Sequence, residues 1–134
     1  GKLLAPFLLL RENPQTVKIQ ILKKRSDYLF AAKGTFFRTR GFHLQAKERE
    51  GAVKTPFARV GFTCSKKVGN AVARNRAKRR LREVARLLLK DYGRPSWDYI
   101  LIGKANETTG LSFADLCHDL KVCLSKFHQE ADAK

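Results

Sequence analysis

Residues 66–86 read KKVGNAVARNRAKRRLREVAR, and two patterns superimposed in this stretch decide how the chain folds. On a helix, Ala73, Ala77, Leu81, Val84 and Leu88 line up at three- and four-residue spacing, the stripe of an amphipathic helix packed on a core. Arg74, Lys78 and Arg82 form an i, i+4, i+8 ridge, with Asn75, Arg79 and Arg86 beside it. The pattern predicts a helix from about Ala71 to Lys90, entered through Gly69 and Asn70 and ended by Gly93 and Pro95.

Working outward, residues 59–65 alternate, with Val60, Phe62 and Cys64 on one face, which predicts a strand before the helix. Residues 98–104 (DYILIGK) follow it as a nearly continuous apolar run, suited to a central strand. Upstream, residues 36–47 read as one strand, since Phe42, Leu44 and Ala46 alternate with His43, Gln45 and Lys47. A charged turn, 48–56, links it to the 59–65 strand as an antiparallel neighbour. Ser26 and Asp27 offer N-cap chemistry for a short helix carrying Tyr28, Leu29 and Ala32 to about Lys33, closed by Gly34. Ser112 and Asp115 open a last helix, Phe113 to Gln129, with Leu116, Leu120, Cys123, Leu124 and Phe127 buried. The order α, β, β, α, β, α predicts an α+β fold: a single domain with one mostly antiparallel sheet and helices.

The 134 residues suit one compact domain. Its expected limits are 22–129, with 1–21 an N-terminal extension interrupted by Pro6 and Pro14, and 130–134 a C-terminal tail. Leu3 to Leu10 is the longest apolar run, broken by Pro6 and far short of the roughly 20 residues of a membrane span, so no membrane is expected. Packing of this run on the domain and weak self-association through it both stay open. An odd number of cysteines, Cys64, Cys117 and Cys123, with no CxxC pair and no complete secretion signal, reads as reduced cytoplasmic thiols. Cys117, His118 and Cys123 point in different directions on one helix, so no protein metal site is expected.

Charge narrows the function further. The chain carries 28 Lys and Arg against 12 Asp and Glu, a formal net charge of +16. Residues 66–86 hold nine of the cations and only one acid, Glu83, which is a net eight of that sixteen. A helix face that is merely solvated usually mixes signs, because like charges at i+4 oppose helix formation. Here the cations also crowd the N-terminal half, where the helix dipole is already positive. A bound polyanion relieves both penalties, and arginine forks suit phosphate while their planes stack on bases. RNA or DNA binding follows from the residues alone.

The run SKKVGNAVARNRAKRRLRE, residues 65–83, resembles the signature of the ribonuclease P protein family, whose hallmark is the helix carrying Arg74, Asn75 and Arg76 here. The resemblance extends from Leu22 to about Phe127. It implies a fold similar to the second domain of ribosomal protein S5, with a left-handed βαβ crossover where general sheet rules favour a right-handed one. It further implies that Lys66, Lys67, Arg74, Asn75, Arg76, Lys78, Arg79 and Arg82 face the ribonuclease P RNA. The cleft between the first helix and the sheet is then expected to hold the single-stranded 5′ leader of precursor tRNA, with Tyr28 and Phe37 as stacking platforms. Phe36 is an alternative to Phe37, and burial in the core is an alternative role for each ring. Ala32 departs from the family pattern, which often has an aromatic there. Magnesium is expected as cofactor, held mainly through RNA, with catalysis by the RNA and no catalytic protein residue. Consistent with that, His43, His118 and His128 show no paired base or nucleophile in the sequence, and Asp91, Asp98, Asp115 and Asp119 are expected to fit caps and solvated ends. A general phosphate-neutralising RNA-binding protein is the competing class.

Overall fold

The computed structural model describes residues 17–49 and 56–132. Five strands and the helices between them run in the order β1 (Lys18–Ile21), α1 (Arg25–Ala32), β2 (Thr35–Arg38), β3 (Phe42–Glu48), β4 (Phe57–Cys64), a single 3-10 turn (Lys66–Val68), α2 (Ala71–Tyr92), β5 (Trp97–Gly103), α3 (Glu107–Gly110) and α4 (Phe113–Asp132). The strands form one mixed sheet in the spatial order β1-β4-β5-β3-β2. β1 pairs parallel with β4 and β4 parallel with β5, whereas β3 runs antiparallel to both β5 and β2.

The expected antiparallel pairing of β3 with β4 does not occur, because β5 lies between them. Its apolar run explains the placement. Tyr99 and Leu101 enter the main core with α2 and α4, while Ile100 on the reverse face packs with Leu22 and Ala31 beneath α1. A strand covered on both sides belongs in the middle of a sheet. The unit β4-α2-β5 is the parallel crossover that carries the basic helix.

Several boundaries differ from the sequence expectation. Residues 36–47 are two strands, not one, folded about Thr39, whose hydroxyl donates to the Phe42 carbonyl at 2.7 Å. Gly41 at this bend lies so close to α4 that a Cβ would stand 2.2 Å from Leu116 Cδ2. The stretch 18–21, expected as the end of an extension, is the edge strand β1, tied on by parallel pairing to residues 57–60. Helix α4 runs to Asp132, into the segment expected as a tail. Residues 1–16, where the apolar run lies, and 133–134 fall outside the described residues.

Of the two side-chain caps expected, the one at Ser112 forms, and Asn70 caps α2 in addition. The Asn70 side chain accepts from the Ala73 N–H at 2.9 Å and Ser112 Oγ from the Asp115 N–H at 3.1 Å. Helix α1 instead begins at Arg25 without a side-chain cap, so Ser26 and Asp27 fall inside its first turn, where the Asp27 carboxylate pairs with Arg59 of β4 at 3.3 Å. That ion pair belongs to a buried network. Asp98 of β5, fully buried, receives Arg59 Nε at 2.8 Å and Nη2 at 2.6 Å, and a second guanidinium from Arg49. The network ties α1, β4 and β5 together beside the α1 face of the sheet.

Candidate nucleic-acid interface

Helix α2 lies on the main-core side, burying Ala77, Leu81, Val84, Ala85 and Leu89. Its N-terminal end is prepared by the 3-10 turn, where Ser65 Oγ accepts from the Lys67 N–H at 3.2 Å and exposes Lys66 and Lys67. The nine cations of the segment are not equivalent. Arg80 turns inward, donating from Nε to the Thr108 carbonyl at 3.0 Å and from Nη2 to that of Leu111 at 2.7 Å, so it fastens α3 to α2. Arg86 pairs with Glu83 at 3.1 Å. The other seven meet no acid in an ion pair among the described residues.

Those seven divide between two flanks. At about 100° per residue, Arg74 and Arg76 point some 160° apart around the helix. Arg74, Lys78 and Arg82 run along the β4 flank, where the Arg82 guanidinium sits 5.6 Å over the Phe62 ring. Arg74 Nε is buried there without a hydrogen-bond partner among the described residues. Burial pushes the neighbouring Cys64 thiol pKa up, opposed by the Gly103 backbone and by the positive field of Lys78 and Arg74. Asn75, Arg76 and Arg79 are exposed on the outer face. The eight residues expected to meet RNA therefore form a band around the end of α2.

On the opposite side of the sheet, α1 covers only part of the surface. Tyr28 is half-buried over Gly61 of β4, its hydroxyl 3.5 Å from the Leu22 carbonyl. Phe37 does not join it. The Phe37 ring faces the main core, edge-on to Phe127 at 4.9 Å, and lines an open groove of about 690 Å³ between β2 and α4 with Arg40, His118 and Asp119. The ring that shares the α1 face with Tyr28 is that of Phe36, which pairs across to Gln45 and remains 43% exposed, whereas the expectation had placed Phe37 there. Among the described residues no group of three or more His, Cys, Asp or Glu converges as a metal site, and no helix is long and apolar enough to cross a membrane.

The family model for ribonuclease P matches residues 17–128, which takes in the whole sheet, both faces described above and most of α4. The chain belongs to the ribonuclease P protein family. Among relatives named ribonuclease P protein component, that of Ruegeria pomeroyi is 54% identical over 110 residues, spanning 82% of this chain and 87% of its own length. That of Caulobacter vibrioides is 43% identical over 121 residues, spanning 90% and 79%. The fold is also similar to solved ribonuclease P proteins. The Staphylococcus aureus protein has a TM-score of 0.60 at 25% identity, covering 78% of this chain and 92% of that one. The Thermotoga maritima protein has a TM-score of 0.64 at 22% identity, covering 80% and 96%.

For a ribonuclease P protein, two features of this surface escape the sequence pattern. Arg80 is indistinguishable in sequence from its basic neighbours, yet α3, too short to show a period, captures it. Phe36 and Phe37 are adjacent, so only the register with β3 decides which ring faces α1.

Proposed function

We propose that this chain is the protein subunit of ribonuclease P, binding the enzyme's RNA around the end of α2 and the 5′ leader of precursor tRNA on the α1 face. The observation that carries this reading is the set of seven cations in residues 66–82 that meet no acidic partner among the described residues, on and just before a helix whose apolar stripe is already buried. Lys66, Lys67, Arg74, Arg76, Lys78, Arg79 and Arg82 would neutralise RNA phosphates, and Asn75 would reach ribose or base edges. Each neutralised phosphate releases condensed counterions, which makes the affinity strongly salt-dependent.

On the other face, Tyr28 is held by the sheet and by the Leu22 carbonyl, so its ring is set before RNA arrives. An unpaired base stacking on it contributes about 1 to 3 kcal/mol. In this reading the protein orients the substrate and lowers repulsion between RNA strands. Three of its acids are already engaged by arginine: Asp98 by Arg49 and Arg59, Asp119 by Arg40 and Glu83 by Arg86. Magnesium and the bond-breaking step are assigned to the RNA, in the cytoplasm where both partners are made.

The test is cleavage of a precursor tRNA by a bacterial ribonuclease P RNA at low magnesium, with and without this protein. Endonucleolytic release of the leader only when both are present is the expected result. A protein that binds this RNA no better than an unrelated RNA, and leaves its magnesium requirement unchanged, would return the chain to the class of general RNA-binding proteins.

A further inference from the structure

The strip of sheet that α1 leaves uncovered holds a second aromatic group. Phe36 of β2 and His43 of β3 meet edge to face, with centroids 5.0 Å apart at 68°. The Arg38 guanidinium lies 5.6 Å from the centre of the same Phe36 ring. Arg38 is the cross-strand partner of His43, so the three side chains share the α1 face. The charge around them is positive: Lys104 and Arg38 both act on His43. An exposed aromatic ring among cations suits an unpaired nucleotide, whose base stacks while its phosphate meets the guanidinium.

We infer that Phe36, His43 and Arg38 form a second stacking station for single-stranded RNA, separate from Tyr28. The pairing Gly61–Ile100–Gln45–Phe36 crosses the sheet in one row, so Phe36 lies three strands from the glycine beneath Tyr28. Three interstrand spacings amount to roughly 14 Å. That exceeds the ~3.4 Å between stacked neighbours of one strand, so the two stations take nucleotides that are not adjacent. A strand reaching both must cross the open face between them, past Ile102, which is half-buried. The second station also supplies an aromatic surface on the face where Ala32 lacks one.

This inference rests on the leader reading above, and the experiment separates the two. Holoenzyme assembled with a bacterial ribonuclease P RNA is titrated with precursor tRNA carrying either a long unpaired leader or one cut back to its last nucleotides. Phe36→Ala is expected to weaken binding of the long-leader substrate by roughly tenfold and to leave the short-leader substrate unchanged. Phe36→Trp is expected to retain wild-type affinity. Tyr28→Ala serves as reference and is expected to weaken long-leader binding too. If Tyr28→Ala weakens binding while Phe36→Ala binds the long leader as wild type does, the second station is overturned and the leader reading stands. Equal losses on both leaders with Phe36→Ala also overturn it, since they place the effect in the scaffold. If neither substitution matters on any leader, the leader reading itself fails.

Discussion

The Tyr28 ring lies over the Cα of Gly61, so close that a Cβ at position 61 would stand 2.5 Å from Tyr28 Cε1 and 2.7 Å from its hydroxyl oxygen. Gly61→Ala is therefore expected to overpack this site, destabilising the fold by about 1 to 3 kcal/mol and displacing the ring. Tyr28→Ala in the same chain removes the clashing atoms. The double variant should unfold at a higher temperature than Gly61→Ala alone, and thermal unfolding of the three variants checks it. Independent, additive losses would show that the two residues do not meet.

Asp98 has no exposed surface and is held by two guanidinium groups, from Arg49 and Arg59. Asp98→Ala leaves both cations facing a buried apolar site, and removing one partner of such a group costs about 3 to 5 kcal/mol. Urea unfolding should show this loss. Because Arg59 also holds Asp27, the α1 amides are expected to exchange with solvent faster in the variant.

Three of the four arginines within residues 74–80 should behave in two ways. Arg74→Ala and Arg76→Ala are expected to keep stability, weaken binding to the RNA subunit and lower the salt slope of log K by up to about 0.9 for each phosphate left unneutralised. Arg80→Ala leaves two backbone carbonyls without their donor, so it should cost about 1 to 3 kcal/mol of stability while leaving the salt slope alone. Binding isotherms at several salt concentrations, with unfolding curves alongside, test the division.

The His43 imidazole pKa is held below its ordinary 6.5 by burial first, then by Lys104 and Arg38. On acidification the unfolded chain takes up this proton before the folded one, so His43 costs stability as pH falls below about 6.5 and not above it. His43→Gln should flatten that part of the acid limb. RNA phosphate beside Arg38 opposes the cationic field, so the His43 pKa should rise on RNA binding. A histidine NMR titration of the free protein showing a midpoint at or above 6.5 would sink this.

How much of this is legible in the sequence depends on the range of the forces involved. Helices α2 and α4 are readable because amphipathic period and capping are local: Asn70 and Ser112 each bind an amide three residues on. The basic band is readable because like charges at helical spacing need an external anion wherever the helix sits. Strand partners are not. That β5 separates β3 from β4, and that the short strand β1 pairs in parallel with residues 57–60, are agreements between distant segments which no local period records.

By itself the sequence determined the class of the fold, the RNA-binding character and the family signature, since these reside in residue types and short spacings. Tertiary structure alone decided which arginine is structural, because the carbonyls of Thr108 and Leu111, in and just after α3, meet Arg80 of the basic run. It decided, too, that Phe36 and not Phe37 shares a face with Tyr28. Side chains alternate along a strand, so a one-residue difference in register exchanges solvent for core, and that register is set by pairing with β3.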